Sequence, residues 1–457
     1  MHSRATCAGI VPPYLLQHLA ASDDSDLAEH ARRTLLRDGV FRARPERPST
    51  STAPTAAAAS TALRRTIHDA HQGSTLPGDV VRNEGDKPSG DEAVNQAYDA
   101  LGDTWKLYQE VYGRNSIDGH GLPLVATVHY EHNYDNAFWN GSQMVFGDGD
   151  GTIFLGFTRS VDVIGHELTH GVTESTAGLT YQGQSGALNE SLSDVFGSLV
   201  KQRALGQSAA QADWLIGADL LAPGVKGVAL RSMKAPGTAY DDPRLGKDPQ
   251  PADMSGYVET TDDNGGVHLN SGIPNRAFYL VASTIGGNAW EAPGQIWYDV
   301  LTGSSIKADC DFATFAALTV AAATTRFGAD ARETAAVRDA WRTVKVPVDA
   351  ARAPSTGPSG TVGSGSPSEE LFVRRTGGFG GLTRERTLRL DDLSSEDASQ
   401  WRDLLGGDRL ASLAEAPTHP DAFCYGVRCD AARLDVTVPE PALEADLRAL
   451  FERTLDG

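Results

Sequence analysis

Short apolar segments separated by glycine-rich turns characterise the chain before residue 161. Residues 122–130 (LPLVATVHY) and 143–146 (QMVF) are rich in β-branched, aromatic and other apolar residues, and the turn sequence GDGDG follows at 147–151. Segments of this length and composition, bounded by glycine, are typical of β-strands. This part of the chain is therefore predicted to be β-rich.

After residue 161 the apolar residues recur at helical spacing. One predicted helix carries them three or four positions apart on one face, at Leu188, Leu192, Val195, Phe196 and Leu199. Residues 277–285 and 312–325 are apolar enough for buried helices. A β-rich first half followed by a helical second half predicts an α+β fold with two lobes.

Two low-complexity stretches divide the chain into three parts. Residues 46–62 are rich in Pro, Ser, Thr and Ala, and residues 349–368 in Gly, Ser and Pro, compositions typical of linkers. We expect a short N-terminal segment at 1–45 with one helix near 26–37, and a main unit at 63–348, β-rich to 160 and helical from 161. A smaller unit of strands and helices is expected at 369–457.

Composition and charge narrow the function classes. The chain has 457 residues, 40% of them hydrophobic, and its formal charge of −20 is accompanied by no basic patch, which argues against nucleic acid and anionic membranes as partners. No apolar run is long enough for a membrane-spanning helix. Pro12 and Pro13 interrupt the apolar stretch near the N-terminus, so no classical signal peptide is predicted.

The cysteines are too few and too scattered for a disulfide framework, at positions Cys7, Cys310, Cys424 and Cys429. Cys424 and Cys429 either pair across a hairpin or stay reduced, and the sequence favours reduced thiols.

The segment VDVIGHELTHGVTEST at 161–176 contains the pattern His166-Glu167-x-x-His170. On an α-helix, two imidazoles four residues apart project from the same face and can bind one zinc ion. Glu167 lies about 100° around the helix from His166, so it is better placed to reach a water molecule than to bind the metal. The alternative is a surface helix with two ordinary histidines.

A catalytic zinc site needs a third protein ligand and an open position. The next predicted helix offers Glu190 as that ligand and Asp194 one turn later on the same face. We expect Asp194 to accept the remaining N–H of a zinc-binding imidazole. A solvated carboxylate is the alternative for Asp194.

With these residues in place, the sequence resembles the thermolysin family of zinc endopeptidases over about residues 63–348. Segments 134–151 (YDNAFWNGSQMVFGDGDG), 178–182 (GLTYQ) and 263–272 (DNGGVHLNSG) resemble that family's edge strand, inter-helix loop and second catalytic motif. The resemblance implies a cleft between the two lobes, with the zinc helix as its floor. Protein and peptide substrates are the implied partners.

The resemblance also implies catalytic roles. Glu167 would transfer the proton of the attacking water, Tyr181 and His268 would stabilise the oxyanion, and Asp263 would orient His268. A buried structural histidine is the alternative for His268.

For substrate binding, the resemblance implies that Asn136 and Ala137 hold the substrate backbone as an added strand. Arg231 would bind a substrate carbonyl. Apolar residues would line the pocket for the side chain after the scissile bond, which implies cleavage before large hydrophobic residues. The residues at these pocket positions are Phe157, Val163 and Leu230. Each pocket residue has a plain core role as its alternative, most of all Val163.

The family's calcium sites are predicted to be reduced or absent. Asp162 and Asp213 match two acidic positions of the two-calcium site, whereas non-acidic residues occupy other calcium-binding positions, at Lys201, Leu215, Ala218 and Val228. A dication held by two acids beside a lysine is electrostatically unfavourable. We expect the Lys201 ammonium to pair with Asp162 and Asp213 instead.

Both ends of the chain resemble regulatory segments. IVPPYLL at 10–16 resembles the short propeptide of protealysin-like precursors, which implies a blocked cleft until self-cleavage within 46–62. Residues 370–382 (ELFVRRTGGFGGL) resemble emfourin, an inhibitor of such enzymes, with an inert appendage as the alternative. Cys7 either approaches the zinc or is a buried structural cysteine.

The leading hypothesis is a zinc endopeptidase precursor, and the alternative is a catalytically silent protease scaffold with a binding role. The missing signal peptide favours the cytoplasm, whereas the family resemblance favours secretion by another route.

Overall fold

The computed structural model describes residues 9–42, 62–348, 370–376, 384–405, 407, 409–414, 423–429 and 434–456. These residues fall into two units, one up to residue 354 and one from residue 355. Cys7, the predicted linkers apart from residue 62, and the glycine-rich stretch 377–382 lie outside the described residues. Within the described part of the chain, no helix is both long and apolar enough to cross a membrane.

The N-terminal segment contains two helices, α1 at Pro13–Ala20 and α2 at Ser25–Arg42. Only the second was predicted. The Pro-Pro pair suggests a break, but Pro13 occupies the first helical position, where its missing N–H costs no hydrogen bond. Helix α1 buries Leu15, Leu16 and Leu19 in the same core as the main unit.

The β-rich lobe contains one five-stranded sheet in the order β2-β1-β3-β5-β4. The strands are β1 (Arg65–Asp69), β2 (Asp79–Asn83), β3 (Leu124–Val128), β4 (Ala137–Trp139) and β5 (Met144–Phe146). Helix α3 (Glu92–Lys106) begins where Asp91 accepts a hydrogen bond from the Ala93 N–H. Strand β4 is an edge strand, so one side of its backbone is open to another segment.

The helical lobe consists of seven helices in the described residues, with four two-residue strands between the second and third. The helices are α4 (Val161–Ser175), α5 (Gly183–Ala204), α6 (Asp263–Asn270), α7 (Gly272–Ile285), α8 (Ala292–Leu301), α9 (Phe312–Phe327) and α10 (Arg332–Thr343). The strands are β6 (Leu215–Ile216), β7 (Arg231–Ser232), β8 (Asp241–Asp242) and β9 (Gly246–Lys247). The predicted α+β fold with a β-rich and a helical lobe is confirmed.

Two glycines allow α4 and α5 to pack closely. A Cβ added to Gly197 on α5 would lie 2.3 Å from the Asp162 carbonyl oxygen, and one added to Gly165 on α4 would lie 3.0 Å from the Gly197 Cα. A side chain at either position would push the helices apart. The close approach brings a carboxylate of α5 within reach of the histidines of α4.

The C-terminal unit is a four-stranded antiparallel sheet with three described helices and its own buried core. Its elements are β10 (Glu370–Thr376), β11 (Arg384–Arg389), α11 (Ser395–Leu405), α12 (Arg409–Ala414), β12 (Cys424–Cys429), β13 (Leu434–Pro439) and α13 (Ala445–Asp456). The strand order is β11-β10-β12-β13. Trp401, Tyr425 and Phe451 are packed together in the core.

The alternative that Cys424 pairs with Cys429 across a hairpin is wrong. Both cysteines lie at opposite ends of the single strand β12. Strand ends five residues apart are about 16 Å from each other, far beyond the reach of a disulfide. Cys429 is a buried free thiol.

Candidate metal centre and substrate cleft

Three buried side chains on α4 and α5 converge on one point. His166 Nε2 and His170 Nε2 lie 3.0 Å apart, and each is 3.5 Å from an oxygen of Glu190. Around a tetrahedral ion with bonds of about 2.0–2.1 Å, ligand atoms are separated by about 3.3 Å. The spacings are close to this value, with His166 facing Oε2 of Glu190 and His170 facing Oε1, which fits one zinc ion held by all three side chains.

The second ring nitrogen of each histidine is bound to the protein. His166 Nδ1 lies 2.7 Å from Asp194 Oδ1, and His170 Nδ1 lies 2.9 Å from Asn189 Oδ1. Because carboxylate and amide oxygens are acceptors, the Nδ1 atoms carry the protons and the Nε2 lone pairs point toward each other. Glu190 Oε2 is buried and has no hydrogen-bond partner among the described residues, which also fits a metal ligand.

Burial is the main cause that lowers the pKa of His170 to about 4, and the charges of the neighbouring histidines act in the same direction. The charge of Glu190 opposes this effect without outweighing it. The imidazole is therefore neutral at pH 7, as a metal ligand must be. For Asp194, burial alone would raise the pKa, but the charge of Arg231 and the hydrogen bond from His166 outweigh it and lower the pKa.

Glu167 lies beside this centre, fully buried. Its Oε2 accepts a hydrogen bond of 3.0 Å from the Trp139 N–H on β4. Its Oε1 has no partner in the part of the chain that the structure describes. Burial and then the charge of Glu190 raise the pKa of Glu167 well above its usual range. A carboxylate with one open oxygen and a raised affinity for protons can exchange a proton with a nearby water molecule.

A kinked turn brings Asp263 and His268 together at the start of α6. Four consecutive residues there, 263–266, have positive φ angles. This left-handed turn lets Asp263 accept hydrogen bonds from the His268 backbone N–H at 2.9 Å and from Nδ1 at 2.7 Å. Burial alone would lower the pKa of His268, but the charges of Asp263 and Glu190 outweigh it and raise the pKa.

His268 and Tyr181 face the metal centre. His268 Nε2 is 3.4 Å from Glu190 Oε2 and 3.4 Å from the Tyr181 hydroxyl oxygen, and that hydroxyl donates a short hydrogen bond to Glu190. The structure thus brings all the predicted catalytic and metal-binding side chains into one buried cluster. An imidazole and a phenol thus lie next to the expected metal position, and the phenol O–H donates to Glu190 in this structure.

The N-terminal segment runs along the open edge of β4, next to this cluster. The Ile10 N–H donates to the Ala137 carbonyl at 3.1 Å, and the Val11 N–H donates to Asn136 Oδ1 at 3.0 Å. Arg231 Nη1 donates to the Ile10 carbonyl at 3.1 Å. The predicted backbone-binding residues therefore hold the backbone of Ile10 and Val11 beside β4.

The predicted pocket residues are all buried in the large hydrophobic core of the main unit: Phe157, Val163 and Leu230. The Ile10 side chain of the N-terminal segment is fully buried in this core as well.

Helix α2 makes a second set of contacts, which the sequence does not reveal. The Asp38 carboxylate accepts hydrogen bonds from the Tyr134 hydroxyl at 2.6 Å and from Asn136 Nδ2 at 2.9 Å. Arg37 pairs with the buried Glu131 at 2.7 Å. Other site residues missed by sequence reasoning are Trp139, Asn189 and Asn275. An Asn in an otherwise apolar helix, such as Asn275 in α7, is the one signal that the sequence offered.

At the expected calcium position, the Lys201 ammonium lies 3.2 Å from Asp162 Oδ2, 2.9 Å from Asp213 Oδ2 and 3.3 Å from the Leu215 carbonyl oxygen. Burial alone would lower the pKa of Lys201, but the two carboxylates outweigh it and raise the pKa. The side chain is therefore a charged ammonium at neutral pH.

A two-lobed fold with a His-His-Glu centre and an adjacent carboxylate defines a zinc metallopeptidase. Residues 52–174 match the family described as "Thermolysin metallopeptidase, catalytic domain", and residues 177–346 match "Thermolysin metallopeptidase, alpha-helical domain". The chain belongs to the thermolysin family of metallopeptidases, hydrolases whose catalytic metal is zinc. Residues 373–455 match Emfourin.

Relatives cover most of the chain. The protein named extracellular metalloprotease of Pectobacterium carotovorum subsp. carotovorum is 52% identical over 349 residues, which are 76% of this chain and 99% of that protein. Thermolysin of Alicyclobacillus acidocaldarius subsp. acidocaldarius is 41% identical over 289 residues, 61% of this chain and 50% of that protein. The solved precursor of protealysin, a metalloproteinase from Serratia proteamaculans, is 53% identical with a TM-score of 0.68 and covers 75% of this chain and 100% of its own. The predicted family resemblances are confirmed.

Proposed function

We propose that the chain is an endopeptidase precursor that cleaves peptide bonds before large hydrophobic residues and removes its own N-terminal segment. The observation that carries this proposal is the backbone of Ile10 and Val11, held by Ala137, Asn136 and Arg231 beside the metal centre. Extended chain bound to an edge strand is the expected form of a peptide substrate.

The residues of the centre support a water-mediated hydrolysis. Zinc bound by His166, His170 and Glu190 would polarise the substrate carbonyl and acidify a water molecule. Glu167 would accept a proton from the attacking water through its open oxygen and pass it to the leaving amine. Tyr181 and His268 would donate hydrogen bonds to the negative charge that develops on the carbonyl oxygen.

The chain's own residues also orient these groups. Asp263 would hold His268 in place and favour its charged form, since it accepts from Nδ1 and from the backbone N–H. Asp194 would fix the ring of His166. The apolar pocket of Phe157, Val163 and Leu230 would receive the side chain that follows the scissile bond.

Blocked peptides that differ only in the residue after the scissile bond test the specificity. We expect kcat/KM to be higher for Leu than for Ala by about 30-fold, because three buried carbon atoms contribute about 2 kcal/mol. Asp at that position should not be cleaved measurably. Equal rates for Leu, Ala and Asp would contradict the proposed pocket.

The N-terminal segment and the C-terminal unit are proposed as inhibitors within the chain. The N-terminal segment occupies the backbone-binding residues of the cleft, and the C-terminal unit matches emfourin. A short linker would keep that unit at a high effective concentration. We also propose that the protein is secreted, as a relative named extracellular metalloprotease suggests, with a cytoplasmic location as the alternative. Cell fractionation decides between these locations.

Lys201 is proposed to replace calcium. Its ammonium already neutralises Asp162 and Asp213, so a dication would meet a positive charge there. A calcium-selective chelator that leaves zinc in place should barely change the melting temperature. A large decrease would refute the replacement.

A further inference from the structure

The Asp194 carboxylate has a hydrogen bond at each of its four acceptor positions. Oδ1 is 2.7 Å from His166 Nδ1 and 2.8 Å from Arg231 Nη2, while Oδ2 is 2.8 Å from Arg231 Nε and 2.8 Å from Asn275 Nδ2. All four residues are buried. A carboxylate with every acceptor position filled cannot rotate or shift without losing a bond.

Among the three residues that bond to Asp194, His166 is a proposed metal ligand and Arg231 bonds to Ile10, whereas Asn275 is given neither role. It projects from α7, and its own Oδ1 is buried without a partner among the described residues. An orphaned buried acceptor costs about 1–3 kcal/mol, so a leucine of similar shape would be more favourable for packing alone. The Asn275 amide is therefore unfavourable for packing alone, and the contact that accounts for it is its hydrogen bond to Asp194.

Arg231 connects this carboxylate to the cleft. Two of its nitrogens are bound to Asp194, and the third, Nη1, donates to the Ile10 carbonyl at 3.1 Å. The direction of Nη1 is thus set by the orientation of the Asp194 carboxylate. A rotation of that carboxylate would turn the planar guanidinium and misalign its bond to the carbonyl.

We infer that Asn275 is a positioning residue for substrate recognition: it fixes the Asp194 carboxylate and, through it, the Arg231 nitrogen that binds the carbonyl of the residue after the scissile bond. The inference rests on the proposed role of Arg231 in substrate binding. The same carboxylate holds His166, so carbonyl binding and metal retention share one support.

Two substrates separate positioning from a purely structural role. One is a blocked dipeptide amide with leucinamide after the scissile bond, and the other carries isopentylamine there, which has the leucine side chain without the carbonyl. In the unaltered protein, the carbonyl should raise kcat/KM by about 10- to 100-fold, the contribution of a hydrogen bond to a charged group. The ratio to follow is kcat/KM for the leucinamide substrate divided by kcat/KM for the isopentylamine substrate. N275L should reduce this ratio by about 3- to 10-fold, mainly through the KM of the leucinamide substrate. It should leave kcat/KM for the isopentylamine substrate unchanged.

Two other variants complete the comparison. N288L makes the same substitution at the partly exposed Asn288, which bonds to Glu291, and should leave the ratio unchanged. R231K cannot keep both bonds to Asp194 and reach the carbonyl, so it should bring the ratio close to one. If N275L does not fold, N275A removes the same donor from a smaller side chain.

The outcomes are distinct. A ratio reduced by N275L or N275A and not by N288L supports the inference, as does faster loss of zinc from N275L to a chelator, which needs no substrate. Equal losses for both substrates, or an unchanged ratio, would overturn it. If neither N275L nor R231K changes the ratio, the proposed role of Arg231 in carbonyl binding is wrong as well. If R231K lowers the ratio and N275L does not, only the proposed role of Asn275 is wrong.

Discussion

Glu167 has one oxygen held by the Trp139 N–H and one buried oxygen without a hydrogen-bond partner among the described residues. Replacing Glu167 with Gln preserves the shape and the fold but removes the base. We expect E167Q to lose activity on peptides by about 10²–10⁴-fold or more. Zinc content should remain equal to that of the unaltered chain.

The same variant tests self-processing. Pure E167Q should accumulate at full precursor length in mass spectra taken over time, because the group that accepts the proton is missing. Normal processing of pure E167Q would contradict self-cleavage by the proposed mechanism.

A second prediction at the residue scale concerns His129 and the pH dependence of stability. Its two ring nitrogens are each 2.8 Å from a carboxylate, Asp148 and Asp91, and mainly the hydrogen bond to Asp148 raises the pKa of His129 to about 9. Because the pKa is higher in the folded than in the unfolded state, protonated His129 stabilises the fold fully below about pH 6.5. This contribution disappears as the pH rises through about 9.

We therefore expect H129Q, in an E167Q background that prevents self-digestion, to lower the melting temperature at pH 6 much more than at pH 10. Partial exposure of the site limits the size of the effect. An equal decrease at both pH values would mean that the charge of His129 contributes nothing.

At the scale of elements, the N-terminal segment approaches β4 so closely that only glycine fits at position 9. A Cβ on Gly9 would lie 2.2 Å from the Ala137 carbonyl oxygen and 2.7 Å from Asn136 Oδ1. Since backbone atoms of a sheet cannot yield, G9A should displace the segment. The unprocessed chain should then hydrolyse a short peptide faster by about tenfold or more, as hydrogen bonds worth about 1 kcal/mol each are lost.

G39A is the matched control, because a Cβ at Gly39 on α2 meets nothing within 4 Å. It should leave the latency of the precursor intact. If G9A is as latent as G39A, the contact at Gly9 does not contribute to inhibition.

The sequence predicts those elements and residues whose information is local. The spacing of His166 and His170 follows from one helix, and Glu190 and Asp194 follow from the next. Helix α1 was missed because a Pro-Pro pair resembles a break, although it serves as a helix start. Contacts between distant elements, such as Asp38 with Asn136 or Asn275 with Asp194, leave no periodic pattern that could be recognised.

At the scale of the whole molecule, the C-terminal unit has its own core and matches emfourin. A chain that ends at residue 368 should therefore be more active on a casein-like substrate than the full chain once both have lost the N-terminal segment. Adding the separate unit to the shortened chain should restore inhibition only at high concentration, because the tether is gone. Unchanged activity after truncation would remove the inhibitory role.

One metal ion shared by α4 and α5 is the feature on which the peptidase account depends. The most direct measurement is an anomalous-difference map from crystals, recorded on both sides of the zinc absorption edge. The account predicts one strong peak, bonded at about 2.0–2.2 Å to His166 Nε2, His170 Nε2 and a Glu190 oxygen. A peak at another position, or no peak in an active preparation, would contradict it.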